Sequence, residues 1–380
     1  MLDPRAVFDA FRANGVDFFT GVPDSLLKNF CAYVTDHAPE DRHIIAANEG
    51  GAVALAAGHY LASGRPALVY MQNSGEGNAV NPLLSLTDPD VYGIPLLLLI
   101  GWRGEPGVHD EPQHVKQGKV TLALLEAAGI PYSVLDASVP EPERQIAAGI
   151  AQAVDAGGPF AFVVRKGAFA PYVLQKNEAW DFPLTREQAV ACVTSAAPEN
   201  AVFVSTTGMA SRELFEIRAR NGQTHGRDFL TVGSMGHASQ IALALALEKR
   251  GRPVYCLDGD GAFLMHMGAA ALTGTRAPAG FFHIVLNNAA HDSVGGQPTA
   301  ARNVDLPAVA KACGYAQVCS AETEKEIVEA LARASAAAEN GTGPSFLEIK
   351  VRKGARPDLG RPTVSPKENL AAFRKNLDQN

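Results

Sequence analysis

Short apolar runs alternate with amphipathic, helix-like stretches along most of this 380-residue chain. Runs of this kind, rich in β-branched or aromatic residues, are typical of buried strands. They predict strands at residues 16–20, 43–47, 67–71, 95–100, 132–135, 160–164, 201–205, 254–257, 281–286 and 345–351. Because helical patterns separate these strands, we expect an α/β fold with mostly parallel sheets and helices on both faces.

The alternation stops once, over residues 168–183, where two prolines and several aromatic residues show little periodicity. Such a composition is typical of a linker. We therefore predict two similar α/β domains, at residues 1–170 and 185–380, joined by a linker at 171–184. In the first domain, the turn at 21–25 is predicted to lead into a helix capped by Asp24 or Ser25.

Polar residues that can bind a cation follow two of the predicted strands. Asp260 lies between Gly259 and Gly261 after the run at 254–257, and two asparagines, ending in Asn288, follow the run at 281–286. Adjacent parallel strands place their carboxyl ends side by side, so a carboxylate, an amide oxygen and a backbone carbonyl can form a hard oxygen site suited to Mg²⁺. Glycines there let backbone amides approach phosphate groups. The alternative is that both sequences are ordinary turns.

Composition narrows the functional classes. The net charge of −7 and the lack of a basic run argue against a nucleic-acid partner. Five cysteines without metal-type spacing indicate reduced thiols and a cytoplasmic protein. No signal-peptide pattern is present, and the longest apolar run, residues 94–100, is too short to span a membrane.

Gly-Asp-Gly followed after twenty-five residues by Asn-Asn resembles the cofactor signature of thiamine-diphosphate enzymes. The resemblance implies thiamine diphosphate and Mg²⁺ as cofactors, with one domain binding the pyrimidine ring and the other the diphosphate. It implies that Asp260, Asn288 and the backbone carbonyl of Ala290 are the metal ligands. The flanking residues Gly259, Gly261 and Ala262 are implied to contact the cofactor.

The same resemblance assigns further cofactor contacts. Glu49, in A-A-N-E-G-G-A-V-A, matches the catalytic glutamate that protonates the pyrimidine ring; the alternative is an ordinary first-turn glutamate favoured by the helix dipole. Met235 resembles the apolar wedge that bends the cofactor, although methionine is also a common core filler. Gly233 is implied to offer its carbonyl to the amino group of the cofactor, with Ser234 beside it. Thr206, Thr207 and Gly208 follow a strand and precede a helix, so they are expected to donate to the diphosphate; capping of the helix is the alternative, and both roles are compatible. His291 and Ser293 follow the asparagine pair and are expected to lie over the diphosphate.

Several local sequences, among them G-V-P-D-S-L-L-K and Q-N-S-G-E-G-N, resemble phosphonopyruvate decarboxylases, which also have only two domains. The implied reaction is the decarboxylation of a small 2-oxo acid that carries a second anionic group, with sulfopyruvate as the alternative substrate. Candidate substrate contacts are Ser25, Lys28, Arg103 and Gln113, and candidate proton carriers are Asp24, His109 and His114. Five of these are expected to lie in glycine-bearing loops after strand ends, where ligands bind in such sheets: Lys28, Arg103, His109, Gln113 and His114. Lys28 and the histidines could instead be ordinary surface or loop residues.

One alternative function and one expectation about assembly concern the whole chain. A non-catalytic module with the same fold would be expected to lack Glu49 or Asp260, and both are present. In the resembling family the two domains of one active site come from different subunits. We therefore expect a homodimer or a larger even homo-oligomer with its active sites at the interface.

Overall fold

The computed structural model describes residues 1–138, 140–176 and 179–379. The chain divides into two compact units, of which the first comprises Met1–Glu178 with Ser293–Gln297 and the second comprises Ala179–Asp292 with Pro298–Asn380. Each unit contains a six-stranded parallel sheet. The predicted fold class, two α/β domains with parallel sheets, is therefore confirmed.

The sheet of the first unit has the order β2-β1-β3-β4-β6-β5. Its strands are β1 (Phe19–Gly21), β2 (His43–Ile45), β3 (Leu68–Gln72), β4 (Leu96–Gly101), β5 (Tyr132–Leu135) and β6 (Pro159–Val164). The helices are α1 (Pro4–Ala13), α2 (Lys28–His37), α3 (Glu49–Ser63), α4 (Glu76–Ser85), α5 (Pro112–Ala127) and α6 (Pro142–Ala156).

Both faces of this sheet are buried. Along β4, Leu97 and Leu99 join a core with α1, α2 and α6, whereas Leu96 and Leu98 join a second core with α3, α4 and α5. Successive side chains of a strand point to opposite faces, so a strand between two helical layers must be apolar throughout. This explains why β4 reads as an unbroken apolar run.

The sheet of the second unit has the order β11-β12-β10-β9-β7-β8. Its strands are β7 (Val202–Ser205), β8 (Asp228–Leu230), β9 (Val254–Gly259), β10 (Phe281–Asn287), β11 (Gln317–Ala321) and β12 (Ser345–Lys350). The helices are α7 (Arg186–Ala196), α8 (Met209–Arg220), α9 (Ala238–Glu248), α10 (Asp260–Met265), α11 (Gly268–Arg276), α12 (Leu306–Ala312), α13 (Glu324–Glu339) and α14 (Pro366–Gln379). None of the helices in the described ranges is long and apolar enough to cross a membrane.

A chain of polar groups lies inside the core of the second unit. The hydroxyl of Tyr315 is 3.0 Å from Nδ1 of His283, whose Nε2 is 3.3 Å from Oδ2 of Asp258. Oδ1 of Asp258 accepts the backbone N–H of Gly259 at 3.0 Å. All three side chains are buried, and each ring nitrogen of His283 has a protein partner. The polar groups of the Tyr315–His283–Asp258 chain are therefore satisfied within the chain itself. The chain connects β9 and β10 to the loop between α12 and β11.

The structure also corrects several local expectations. Helix α2 begins at Lys28, so Asp24 and Ser25 belong to the preceding turn and do not cap the helix. Gln113 and His114 lie in the first turn of α5, which was expected to be a loop because glycines and prolines precede it. Helix α4 and the short strands β8 and β11 were not predicted, since none of them forms a continuous apolar run.

Candidate active site

Asp260 occupies the position predicted for a cation ligand. It is the first residue of α10, directly after β9, and its carboxyl group is buried. Burial raises its pKa to about 7, against the opposing hydrogen bond from the hydroxyl of Thr299. A carboxyl with a pKa near 7 is only partly ionised at neutral pH, and a bound cation would stabilise its ionised form. Thr299 was not anticipated, since it lies 39 residues along the chain from Asp260.

Asn288 and Ala290 follow the carboxyl end of β10, the strand next to β9. The N–H of Ala290 donates to Oδ1 of Asn288 at 3.1 Å, and Ala289 between them has a left-handed backbone with φ 51°. Asn287 stabilises this turn by accepting the N–H of Ala289 at 2.9 Å. Asp260 and Asn288 therefore follow adjacent strand ends and offer the hard oxygen ligands that suit Mg²⁺. These residues fit the predicted cation.

Three loops converge beside Asp260. The N–H of Gly233 donates to Oγ1 of Thr207 at 3.0 Å, which joins the loop after β8 to the loop after β7. A Cβ atom built on Gly261 would lie 3.3 Å from Cε of Met235 and 3.2 Å from Cε1 of His291. Glycine at position 261 thus allows the Met235 and His291 side chains to approach the start of α10.

The backbone of the Met235 loop has an unusual conformation. Gly233 and Gly236 have φ values of 67° and 82°, and Ser234 between them has φ 48°, which is uncommon for a residue with a Cβ atom. Such strain concentrates at functional sites. Thr206 and Gly208, in the β7–α8 loop, and Gly259 and Ala262, around Asp260, complete the predicted set in this unit. Ser293 is exposed and belongs to the segment that groups with the first unit.

Glu49 is the first residue of α3 and is buried. Its Oε2 accepts a hydrogen bond from Nδ2 of Asn78 at 2.7 Å, and a Cβ atom on Gly75 would collide with its carboxylate. Burial raises the pKa of Glu49 even though the Asn78 hydrogen bond opposes that shift. An ordinary first-turn glutamate lies in water as an anion, so this environment favours a carboxyl that holds a proton.

Asp24 is also buried, in the turn after β1. Its Oδ1 accepts from Nε2 of Gln72 at 2.6 Å, and its Oδ2 accepts the N–H groups of Leu26 and Leu27 at 2.6 and 3.2 Å. Burial raises its pKa despite these donors. Asp24 is therefore a second carboxyl at the carboxyl edge of this sheet that is disposed to carry a proton.

The guanidinium of Arg103 is held by two protein side chains. It donates to both oxygens of Asp110, at 2.7 and 2.5 Å, and to Oγ of Ser25 at 2.7 Å. Although burial opposes it, hydrogen bonding to Arg103 lowers the pKa of Asp110 to about 2. Asn73 accepts the N–H of Arg103 at 3.2 Å and donates to its carbonyl at 2.8 Å. An anionic substrate would therefore meet an Arg103 that already shares its charge with Asp110.

Gln113 and His114 contribute unpartnered polar atoms near Arg103. Burial lowers the pKa of His114 to about 4, helped by the nearby charge of Arg103, so its ring is neutral at pH 7. Within the described part of the chain, Oε1 of Gln113 and Nδ1 of His114 are buried without a hydrogen-bond partner. Buried polar atoms of this kind are expected to meet a ligand or water. Lys28 and His109, in contrast, are exposed.

Sequence reasoning missed the side chains that hold these groups in place. Gln72 ends β3, Asn73 follows it directly, and Asn78 lies in the first turn of α4, within a segment dense in amides and carboxylates. A cluster of amide side chains after a predicted strand was therefore the feature of the sequence that could have revealed these residues. Asp110 carried no comparable signal, because its pairing with Arg103 depends on the turn between them.

Comparison with known proteins identifies the two units. Residues 4–124 match the N-terminal TPP binding domain of thiamine pyrophosphate enzymes, and residues 206–349 match their C-terminal TPP binding domain. The chain belongs to the thiamine pyrophosphate enzymes. Thiamine pyrophosphate is thiamine diphosphate, so the predicted cofactor is confirmed, with Mg²⁺ as its usual metal.

Within this family the chain resembles three decarboxylases over nearly its whole length. It is 36% identical to the phosphonopyruvate decarboxylase of Streptomyces viridochromogenes, over 95% of this chain and 91% of that protein. The enzyme of the same name from Streptomyces hygroscopicus is also 36% identical, over 95% and 90% of the two chains. The sulfopyruvate decarboxylase of Methanosarcina acetivorans is 29% identical, over 98% and 97%.

Proposed function

We propose that this thiamine pyrophosphate enzyme decarboxylates 3-phosphonopyruvate to phosphonoacetaldehyde and CO₂ and serves phosphonate biosynthesis. The observation that carries this proposal is the 36% identity over 95% of the chain to the phosphonopyruvate decarboxylase of Streptomyces viridochromogenes. The buried Glu49 and Asp260 support an active enzyme and argue against a module that has kept only the fold.

The cation and the diphosphate are assigned to the second unit. Asp260, Asn288 and the carbonyl of Ala290 would hold Mg²⁺, and the loops at Gly208 and Gly261 would present backbone amides to the phosphates. Gly233, whose N–H is donated to Thr207, would offer its carbonyl to the amino group of the cofactor. When bound, thiamine diphosphate supplies the carbon nucleophile for the keto group and accepts the electron pair as CO₂ leaves. Glu49 supplies the proton that activates the pyrimidine ring, for which its raised pKa suits it.

The remaining steps fall to residues at the carboxyl edge of the first sheet. Loss of CO₂ must be followed by the addition of one proton to the product carbon. Asp24 is the buried candidate whose raised pKa suits it to deliver that proton. His114 is buried but neutral at pH 7, so it could only relay a proton taken from another group, and His109 is exposed. Arg103 would bind the second anion of the substrate in place of part of its contact with Asp110, together with the hydroxyl of Ser25 and the ammonium group of Lys28. The unpartnered oxygen of Gln113 is an acceptor, so it would act only by holding a water molecule that donates to the anion.

The function is tested by measuring CO₂ release from phosphonopyruvate, sulfopyruvate and pyruvate in the presence of thiamine diphosphate and Mg²⁺. We expect kcat/KM to be highest for phosphonopyruvate. The phosphonate group carries about one more negative charge than a sulfonate near pH 7, because second ionisations of phosphate-type groups fall near pH ~6. A preference for sulfopyruvate would instead assign the chain to the sulfopyruvate decarboxylases.

We also propose that the enzyme is a homodimer or a larger even assembly in which Glu49 and Asp260 of one active site come from different subunits. Mixing inactive Glu49→Gln chains with inactive Asp260→Ala chains tests this arrangement. If the subunits exchange, each mixed dimer should regain one intact site. Mixed dimers verified by mass that stay inactive, or an active monomer, would show that each chain builds its own site.

A further inference from the structure

The amide of Asn288 has one defined orientation. Its Nδ2 donates to Oδ2 of Asp292 at 2.6 Å, while its Oδ1 accepts only a 3.1 Å hydrogen bond from the N–H of Ala290 among the described contacts. An amide has one donor end and one acceptor end. A carboxylate that accepts from the Nδ2 end therefore leaves the oxygen as the end that can meet a cation.

Asp292 is itself held firmly. The same Oδ2 atom accepts from Nη1 of Arg186 at 3.1 Å and from the N–H of Gly354 at 2.9 Å. Arg186, the first residue of α7, is buried and donates through Nε and Nη2 to the two oxygens of buried Glu213, at 2.9 and 3.0 Å. The side chains of Glu213, Arg186, Asp292 and Asn288 thus form a continuous chain that ends at a predicted cation ligand.

We propose that Asp292, anchored by Arg186, is a positioning residue that presents the Asn288 oxygen to the cation. This inference rests on the cation site of the proposed function and not on the identity of the substrate. Groups that orient a metal ligand typically contribute 10- to 100-fold to metal affinity. Asp292 also carries a negative charge, so the test has to separate orientation from simple attraction of the cation.

Three variants make that separation, and each is measured as Mn²⁺ affinity by electron paramagnetic resonance, with thiamine diphosphate present and no substrate. Asp292→Ala should weaken Mn²⁺ binding ~10- to 100-fold. Asp292→Asn keeps an oxygen that can accept from Asn288, Arg186 and Gly354, so its affinity should stay within about threefold of wild type, well short of that loss. If Asp292→Asn loses as much as Asp292→Ala, the charge and not the orientation is what matters, and the proposal is wrong.

Arg186→Gln is a variant for which positioning and charge predict opposite changes in Mn²⁺ affinity. Removing a positive charge near the site would strengthen cation binding if electrostatics dominated. If the positioning of Asn288 dominates, loosening Asp292 should weaken Mn²⁺ binding several-fold. Arg186→Gln can therefore distinguish positioning from charge even if Asp292→Ala does not fold. Tighter Mn²⁺ binding by Arg186→Gln would overturn the proposal.

The matched control is the buried pair of Arg218 and Asp228, whose Nη2 and Oδ1 atoms are 3.0 Å apart. Asp228 begins β8 at the amino end of the sheet, whereas Asn288 follows the carboxyl end of β10. Asp228→Asn should lower stability without changing Mn²⁺ affinity. An equal loss of affinity in this control would show that the Asp292 effect is general destabilisation. Because no substrate is present, the outcome stands whichever 2-oxo acid the enzyme uses.

Discussion

Glu76 makes the stability of this protein depend on pH in a way that can be calculated. It begins α4, and it is buried on the same face of the helix as Ala79 and Leu83, which belong to an apolar core. Within the described chain, its Oε1 has no hydrogen-bond partner. Burial alone raises the pKa of Glu76 from its ordinary 4.5 to about 8.

The sign follows from proton binding. Below pH 4.5 the glutamate is protonated in both states, and between pH 4.5 and 8 the folded protein keeps a proton that the unfolded chain has lost. Stability from this group is therefore fully present below pH 4.5 and is lost as the pH rises to 8. Each pKa unit corresponds to about 1.4 kcal/mol, so the whole change is about 5 kcal/mol.

Glu76→Gln removes this dependence because an amide does not titrate. We expect the free energy of unfolding of the variant, minus that of the wild type, to rise by about 3 kcal/mol between pH 5.5 and 7.5. Urea denaturation at fixed protein concentration measures it. The chain has two tryptophans, and Trp102 packs in the same core as Ala79, so a Trp180→Phe background lets fluorescence report on the first unit.

The control is Glu143→Gln, which makes the same change of side chain at an exposed position of α6 and leaves the α3–α4 core untouched. A Glu76→Gln curve that runs parallel to wild type, within about 0.5 kcal/mol from pH 5.5 to 8.5, would refute the argument. It would mean that Glu76 is hydrated or paired in solution, and that its burial next to the α3–α4 core does not control its protonation.

Three further predictions concern the active site. Asp260→Ala should abolish binding of thiamine diphosphate with Mg²⁺ while circular dichroism stays unchanged, and affinity kept within about threefold would contradict the assignment of the ligand. Glu49→Gln should bind the cofactor but lose ~10²- to 10⁴-fold in kcat, and an unchanged kcat would remove Glu49 from the mechanism. Arg103→Ala should lower kcat/KM far more on phosphonopyruvate than on pyruvate, because only the former carries a second anion; equal losses would make Arg103 a structural residue.

The sequence predicted best those strands that are buried on both faces. β4, β6, β9 and β10 lie inside their sheets, so most of their residues are apolar and the runs stand out even where a polar residue such as His283 interrupts them. β8 and β11 are edge strands, of three and five residues, and an edge strand needs no continuous apolar run. Their existence depends on pairing with a neighbour, which local sequence does not encode.

The same distinction holds for the candidate site. Residues at or shortly after a strand end could be placed because the strand end fixes its neighbours in space; Asp260 follows β9 directly, and Glu49 begins the helix that follows β2. Thr299 could not be placed, since its contact with Asp260 spans 39 residues. The engagement of Arg103 by Asp110 likewise depends on a folded turn, so the sequence indicated a free cation where the structure has an ion pair.

The Tyr315–His283–Asp258 chain has a consequence for how insertions affect this protein. His283 pairs with Cys256 across the β9–β10 ladder, and Val285 pairs with Asp258. Slipping one strand by a single residue would move it ~3.3 Å and turn His283 to the opposite face, leaving Asp258 buried without its partner. Lengthening the segment between the strands leaves this pairing intact, so Asp260 and Asn288 keep their separation. One extra residue inside β9 or β10 would shift the register and so break the contact between His283 and Asp258.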